Sequence, residues 1–144
     1  LHTAYRRQRQ MCIRDRSIDA KKTKNGYQCV INDGQELTEK KPAELAKEAE
    51  RMGAGEIIIN SIDQDGMMQG YDIELVRSVA DAVKIPVTAI GGAGGIQDLK
   101  KVLDEGHAHA AAGGSMFVYY GRLKAVLITV PSEQELTHWG VYIE

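Results

Sequence analysis

GAGEIIINSIDQDGMMQGYDIELVRSVADAVKIPVTAIGGAGGIQDLKKVLDEGHAHAAAGGS, residues 53–115, is the stretch that decides the fold. Three short apolar runs lie in it, at 56–62, 86–90 and 108–112, and each runs out into a polar or glycine-rich turn. Amphipathic segments separate them. That alternation predicts βα units feeding a parallel sheet. In a βα barrel the chemistry gathers where strands run out into loops. Here those exits carry Asp63 and Asp65, then Gly91-Gly92-Ala93-Gly94, then Gly113-Gly114-Ser115.

The run at 56–62 is β-branched and nearly continuous, as a strand buried on both faces requires. Asp72 is placed to cap a helix whose buried stripe is Ile73, Val76, Ala80 and Val83. Pro86 opens the next strand, where no ladder donor is lost. Ile96, Leu99 and Leu103 mark a further helix, ended by Gly106. Upstream, Lys24-Asn25-Gly26 and Asn32-Asp33-Gly34 are turn signals around a β-like run at 27–31. They predict a small hairpin inserted after a strand tip at 17–21. Thr38 is a candidate cap ahead of Pro42, which suits a first helical turn. Leu45, Ala49 and Met52 then recur at helical spacing before Gly53. Residues 116–130 are apolar and fit either helix or strand. Tyr119-Tyr120 suits lining a mouth or covering the last strand, and Trp139 and Tyr142 fall in a tail without pattern.

Residues 1–16, LHTAYRRQRQMCIRDR, stand apart, with five arginines and almost no apolar periodicity. A basic arm for an anionic surface is one reading. The run RRQRQMCIRDR also looks like the in-frame translation of a sequencing adapter, and such a scar is set aside from fold reasoning. The folded unit is then expected at 17–144, with the gene extending upstream.

The chain has 144 residues, 43% hydrophobic and 26% charged, with a net charge of -2. That suffices for one core, whereas a complete eight-fold barrel needs ~250 residues. A full barrel is excluded by length. The near-neutral charge gives no case for nucleic acid as the main partner. No apolar run approaches the ~20 residues of a membrane span. Cys12 and Cys29 have no metal spacing and suggest no disulfide framework. Neither a metal nor a cofactor is expected, and a reducing cytoplasm is the default setting.

Asp63 and Asp65 follow the best strand, and residues two apart in an extended segment face the same way. Both carboxylates could enter one mouth, to share a proton, bind a hydroxyl or hold a cation. An Asx turn closed by Gly66 explains them equally well. Asp19, with Lys21 and Lys22 after it, is either a turn with solvated lysines or a carboxylate at a strand exit, poised as acid or base. Glycines at 91–95 let backbone amides approach a ligand, and the helix that follows attracts anions. Gly113-Gly114-Ser115 repeats the device one unit later, so the pair of exits points to phosphate. His107 and His109 lack a third ligand, which leaves surface or packing roles.

SIDAKK, GAGEIIINSIDQDGMMQGYD, IPVTAIGGAGG and AAAGGSMF resemble the cyclase subunit of imidazole glycerol phosphate synthase, the HisF family, over roughly residues 17–117. The resemblance implies an α/β fold that is the truncated C-terminal half of a (β/α)8 TIM barrel, strand five onward. It implies an ammonia-using lyase fed by a HisH-like glutaminase subunit and acting on a phosphorylated small molecule. That substrate is a bis-phosphorylated ribulosyl aminoimidazole nucleotide, converted to imidazole glycerol phosphate in histidine biosynthesis. Asp19 matches one of the family's two acid–base aspartates. Asp65 matches a carboxylate that contacts substrate, with Asp63 beside it. Gly91, Gly92, Gly114 and Ser115 match donors to one phosphate. Asn60 stands where a threonine is usual, and Ile90 where a serine is. The tail VYYGRLKAVLITVPS is similar instead to the HisF-like WbuZ branch of surface-polysaccharide loci, which implies ammonia delivery for amidation of an acetamido sugar.

Overall fold

The computed structural model describes residues 15–32, 34–121 and 123–141. The tip at 1–14, Cys12 included, lies outside them, as do Asp33 and Tyr142. Strand β1 (Asp15–Thr23) is followed by the hairpin strands β2 (Gly26–Ile31) and β3 (Glu36–Leu37). Helix α1 (Pro42–Arg51) leads into β4 (Glu56–Ser61), α2 (Ile73–Ala80) into β5 (Val87–Ile90), and α3 (Ile96–Asp104) into β6 (Ala110–Ala111). The order in the sheet is β3-β2-β1-β4-β5-β6. β1, β4, β5 and β6 run parallel, while β2 and β3 add antiparallel on the outer side of β1. Each new parallel strand joins the same edge as its predecessor. That is the single winding of a barrel rather than the reversing order of an open doubly wound sheet. Among the described residues β6 has no further strand beyond it.

Parallel strands need crossovers, and the helices provide them on one side of the sheet. Ile18, Ala20, Ile57, Ile59, Val87 and Ala89 point to that side and are buried. They meet Ala46 and Ala49 of α1, Leu75, Val76 and Val79 of α2, and Leu99 and Val102 of α3 in one core. Ile57, Ile59 and Val87 are completely enclosed, and each contributes about 1.5–3 kcal/mol by leaving water. The run at 56–62 was expected to be buried on both faces, yet its burial alternates residue by residue. Ile58 and Asn60 turn to the face without helices, with Asp19, Thr88 and Ile90 beside them by register. A barrel interior has this arrangement.

Local chemistry explains the boundaries. The Asp72 carboxylate accepts the Leu75 amide at 3.0 Å and caps α2, as the sequence predicts. Gly53, with φ 93°, ends α1 by letting its own amide reach Glu50 and that of Ala54 reach Ala49, the double closure that a left-handed glycine permits. Thr38 does not cap α1. Its hydroxyl donates to the Cys29 carbonyl at 2.9 Å, and Lys41 takes the cap position without a side-chain bond. Met52 is exposed at the C-cap rather than buried in the stripe, where Ala46 lies instead. Lys21 and Lys22 are not in a turn, because β1 continues through Thr23 and pairs with β2 to its end. β1 also begins at Asp15, so Asp15 and Arg16 join the strand ahead of the boundary expected at Ser17 and pair with Glu56 and Ile57. Pairing there uses backbone groups, to which the exposed side chains are indifferent. The strand expected at 108–112 shrinks to two residues. The ambiguous run at 116–130 becomes a one-turn helix α4 (Ser115–Val118) and a small hairpin of β7 (Tyr119–Tyr120) and β8 (Ala125–Val126). Helix α5 (Glu133–His138) follows, capped reciprocally by Ser132 and Glu135.

Candidate active site

Because four strands run parallel, their C-terminal ends open on one side. Register sets the deepest row there: Asp19 lies opposite Asn60, and Asn60 opposite Ile90. The Asn60 amide donates to Asp19 Oδ1 at 3.0 Å. Asn60 Oδ1 is buried without a partner among the described residues, a cost that an incoming donor would relieve. It abuts Gly91, where an added Cβ would come within 2.6 Å of it.

Beyond this row lies a cavity of about 130 Å3 lined by Asp65, Gly66, Ile90, Gly91, Gly92, Ala93, Gly113, Gly114 and Ser115. Five of the eight candidate site residues, Asp65, Gly91, Gly92, Gly114 and Ser115, are thus gathered around one space, and Asn60 abuts it through Gly91. Gly91 and Gly92 have φ of 89° and 110°. Among the described residues no acceptor takes the amides of Gly91, Gly92 or Ala93, nor those of Gly113 and Gly114. Neutral donors line the cavity with one hydroxyl, one carboxylate and no lysine or arginine.

Two expectations need correction. Of the two readings of Asp63 and Asp65 the turn holds and the extended segment does not: residues 62–67 are a run of turns, with the Asp65 amide bonded back to Ser61. Asp63 and Asp65 therefore part: Asp63 Oδ2 accepts the Lys22 amide at 2.8 Å, while Asp65 lines the cavity. The N-terminus of α3 is not free for a guest either. Asp98 Oδ2 accepts from Gly94 at 2.9 Å and Gly95 at 3.0 Å, so the chain supplies its own anion there. The glycines also have a packing reason that sequence does not reveal. A Cβ at Gly92 would stand 2.2 Å from the Gly70 carbonyl oxygen, and one at Gly94 2.4 Å from that of Met68.

Sequence reasoning missed the loop that presses on them. The Gly70 amide donates to the Gly92 carbonyl at 2.9 Å. The hydroxyl of buried Tyr71 donates to the Ala112 carbonyl at 2.7 Å. Burial, and then the charge of Asp98, pushes the Tyr71 hydroxyl well above its usual pKa. A tyrosine beside a helix cap was the available signal. Nearby, the Tyr27 hydroxyl lies 2.8 Å from Asp72 and 3.1 Å from Glu74, tying the hairpin to α2. The histidines stay apart from the site: His107 pairs with Asp81 at 2.7 Å, and His109 Nδ1 accepts the Val87 amide at 3.3 Å. Among the described residues no three metal-ligating side chains converge, and no helix is long and apolar enough to cross a membrane.

The fold and this exit define a singly wound βα protein with its polar site at the strand ends. Residues 7–124 match the family model described as histidine biosynthesis protein, and the chain belongs to that family. A match starting at residue 7 takes in part of the arginine-rich tip. The chain is 46% identical over 106 residues to the imidazole glycerol phosphate synthase subunit HisF of Dehalococcoides mccartyi, covering 74% of this chain and 42% of that one. It is 42% identical over 121 residues to a protein of Leptospira interrogans given the same subunit name provisionally, covering 83% and 48%. A provisionally named hisF3 protein of Vibrio vulnificus is 40% identical over 120 residues, covering 82% and 46%. The chain spans about half the length of the curated relatives it matches.

Proposed function

We propose that this chain supplies the second half of a HisF-type (β/α)8 barrel, strands five to eight, and with it one side of a cyclase site. Ammonia from a glutaminase subunit reacts there with the bis-phosphorylated ribulosyl aminoimidazole carboxamide nucleotide, giving imidazole glycerol phosphate in the cytoplasm. The observation that carries the reading is the pairing of Asp19 with Asn60 directly beneath a glycine-walled cavity on the same strand ends.

Each residue then has a task that its chemistry suits. Asp19, positioned by its hydrogen bond from Asn60, takes a proton from the attacking nitrogen or the closing ring and returns it to the leaving group. The orphan Asn60 oxygen accepts from an N–H or O–H of the reacting centre. Asp65, at the cavity wall, accepts substrate hydroxyls. The amides of Gly91, Gly92 and Gly114, with the Ser115 hydroxyl, hold one phosphate, as neutral donors do in anion-binding turns. Asp63, bonded to the Lys22 backbone, keeps the loop that carries Asp65 against the hairpin.

Ile90 favours a second reading. An apolar side chain lines the cavity where the family usually places a hydroxyl, so ammonia delivery to a sugar-amidating partner, as in the WbuZ branch, remains the alternative. The test is to express the longer protein containing this chain with its glutaminase, and to supply glutamine and the ribulosyl nucleotide. Turnover that Asp19→Asn abolishes while glutaminase binding persists supports the cyclase. Tight glutaminase binding with no turnover by the unsubstituted protein supports delivery.

A further inference from the structure

Two neighbouring residues on one loop reach two different strand exits. The Gly70 amide holds the Gly92 carbonyl, and the Tyr71 hydroxyl holds the Ala112 carbonyl. In a planar trans peptide the C=O and the following N–H point in opposite directions, and the described chain has no cis bonds. Fixing these two carbonyls therefore fixes the next two amides, those of Ala93 and Gly113. Both residues line the 130 Å3 cavity, and neither amide has an acceptor among the described residues. The Ala112 amide is meanwhile anchored on the other strand, donating to Ala89 at 2.8 Å. Ala112 is thus held through both of its flanking peptides, by Ala89 on one side and Tyr71 on the other, where β6 has only two paired residues left.

We infer that Tyr71 is a positioning residue for anion binding, aiming the Gly113 amide by gripping the peptide before it while Gly70 does the same for Ala93. This rests on the phosphate reading above and adds the device that shapes the cradle. The clamp matters because the cavity has no cation. Neutral amides bind an anion only when several converge, so a rotated peptide removes a donor and turns a carbonyl oxygen toward the anion. The loop bearing Asp65 is the same loop, so the brace also ties the Asp65 carboxylate to the phosphate wall.

The test uses the full 144-residue chain and inorganic phosphate, followed by 31P relaxation, which tolerates self-association. Tyr71→Phe keeps the buried ring and deletes the hydroxyl. Thr38→Val is the matched control, since Thr38 likewise donates a hydroxyl to a backbone carbonyl at 2.9 Å but far from the cradle. Tyr71→Phe is expected to weaken phosphate binding by about threefold to tenfold, the value of one hydrogen bond, with Thr38→Val binding as the parent does. Equal affinity in Tyr71→Phe and the parent overturns the inference and leaves the phosphate reading intact. Equal weakening in both variants also overturns it, because general loosening then suffices. No phosphate binding by the parent overturns the reading beneath it.

Discussion

Replacing Gly92 by alanine is the sharpest probe of how this site is built. The position has φ 110°, where an L side chain is strained, and the new Cβ would stand 2.2 Å from the Gly70 oxygen and 2.9 Å from its carbon. Both obstacles are backbone, so no side chain can swing aside. Strain at positive φ costs about 1–2 kcal/mol. Moving the loop also breaks the Gly70–Gly92 hydrogen bond, worth about 0.5–1.5 kcal/mol. The expected loss is about 1.5–3.5 kcal/mol before any repulsion that fails to relax. Two sister variants dissect it. Gly66 also has positive φ, 72°, but open space around its Cβ position, so Gly66→Ala should show the strain alone, about 1–2 kcal/mol. Gly95 is extended at φ -168° with nothing within 4 Å, and Gly95→Ala should cost no more than about 1 kcal/mol, the value of a helix N-cap position that disfavours alanine. Urea unfolding followed by circular dichroism measures all three. A Gly92→Ala variant as stable as Gly95→Ala would refute the packing of residues 66–71 against the glycine exit.

Asp72→Ala removes the cap of α2 and one partner of Tyr27; unfolding should cost about 1–2 kcal/mol, and a loss below 0.3 kcal/mol contradicts the contact. Burial pushes the Cys29 thiol from its ordinary 9.0 to about 11. The folded state then holds that proton more tightly than the unfolded one, so this contribution to stability is present below pH 9 and is lost as pH rises toward 11. In a Cys12→Ser background, iodoacetamide should modify Cys29 at pH 8 far more slowly in the native protein than in urea. Ile58 and Ile90 are only half-buried on a face without helices, while Leu123, Ile128 and Val130 are exposed by 90%, 77% and 73%. Sedimentation of the isolated chain should accordingly show self-association, and a monodisperse monomer with a cooperative melt runs against the half-barrel reading.

The parallel units were legible because their signals are local. β-branched runs, a capping aspartate and glycine stops each act within a few residues of themselves, and Asp72 and Gly53 do what their types suggest. What the sequence hid depends on distant partners. Nothing local tells that Asp63 goes to the Lys22 amide, 41 residues away, while Asp65 faces the cavity; the Asp98 bonds to Gly94 and Gly95, by contrast, span only four and three residues. The glycines at 91–94 read as a ligand turn, and only the tertiary structure adds that a neighbouring loop needs the same space. Tyr71 escaped notice because one buried hydroxyl reaching 41 residues along the chain has no periodicity. One-sided burial of β4 was equally invisible, since Ile57-Ile58-Ile59 is apolar whether or not anything covers the second face.

The most direct trial of the proposed half-barrel cyclase is reconstitution. The 144-residue chain is refolded with a polypeptide carrying the first half of the Dehalococcoides relative, then given ammonia and the ribulosyl nucleotide. Ammonia-dependent release of imidazole glycerol phosphate, lost when Asp19 becomes asparagine and retained when Asp63 does, is the expected result. A co-folded complex that turns over equally well with Asp19→Asn would contradict the role given to that carboxylate and the site built around it.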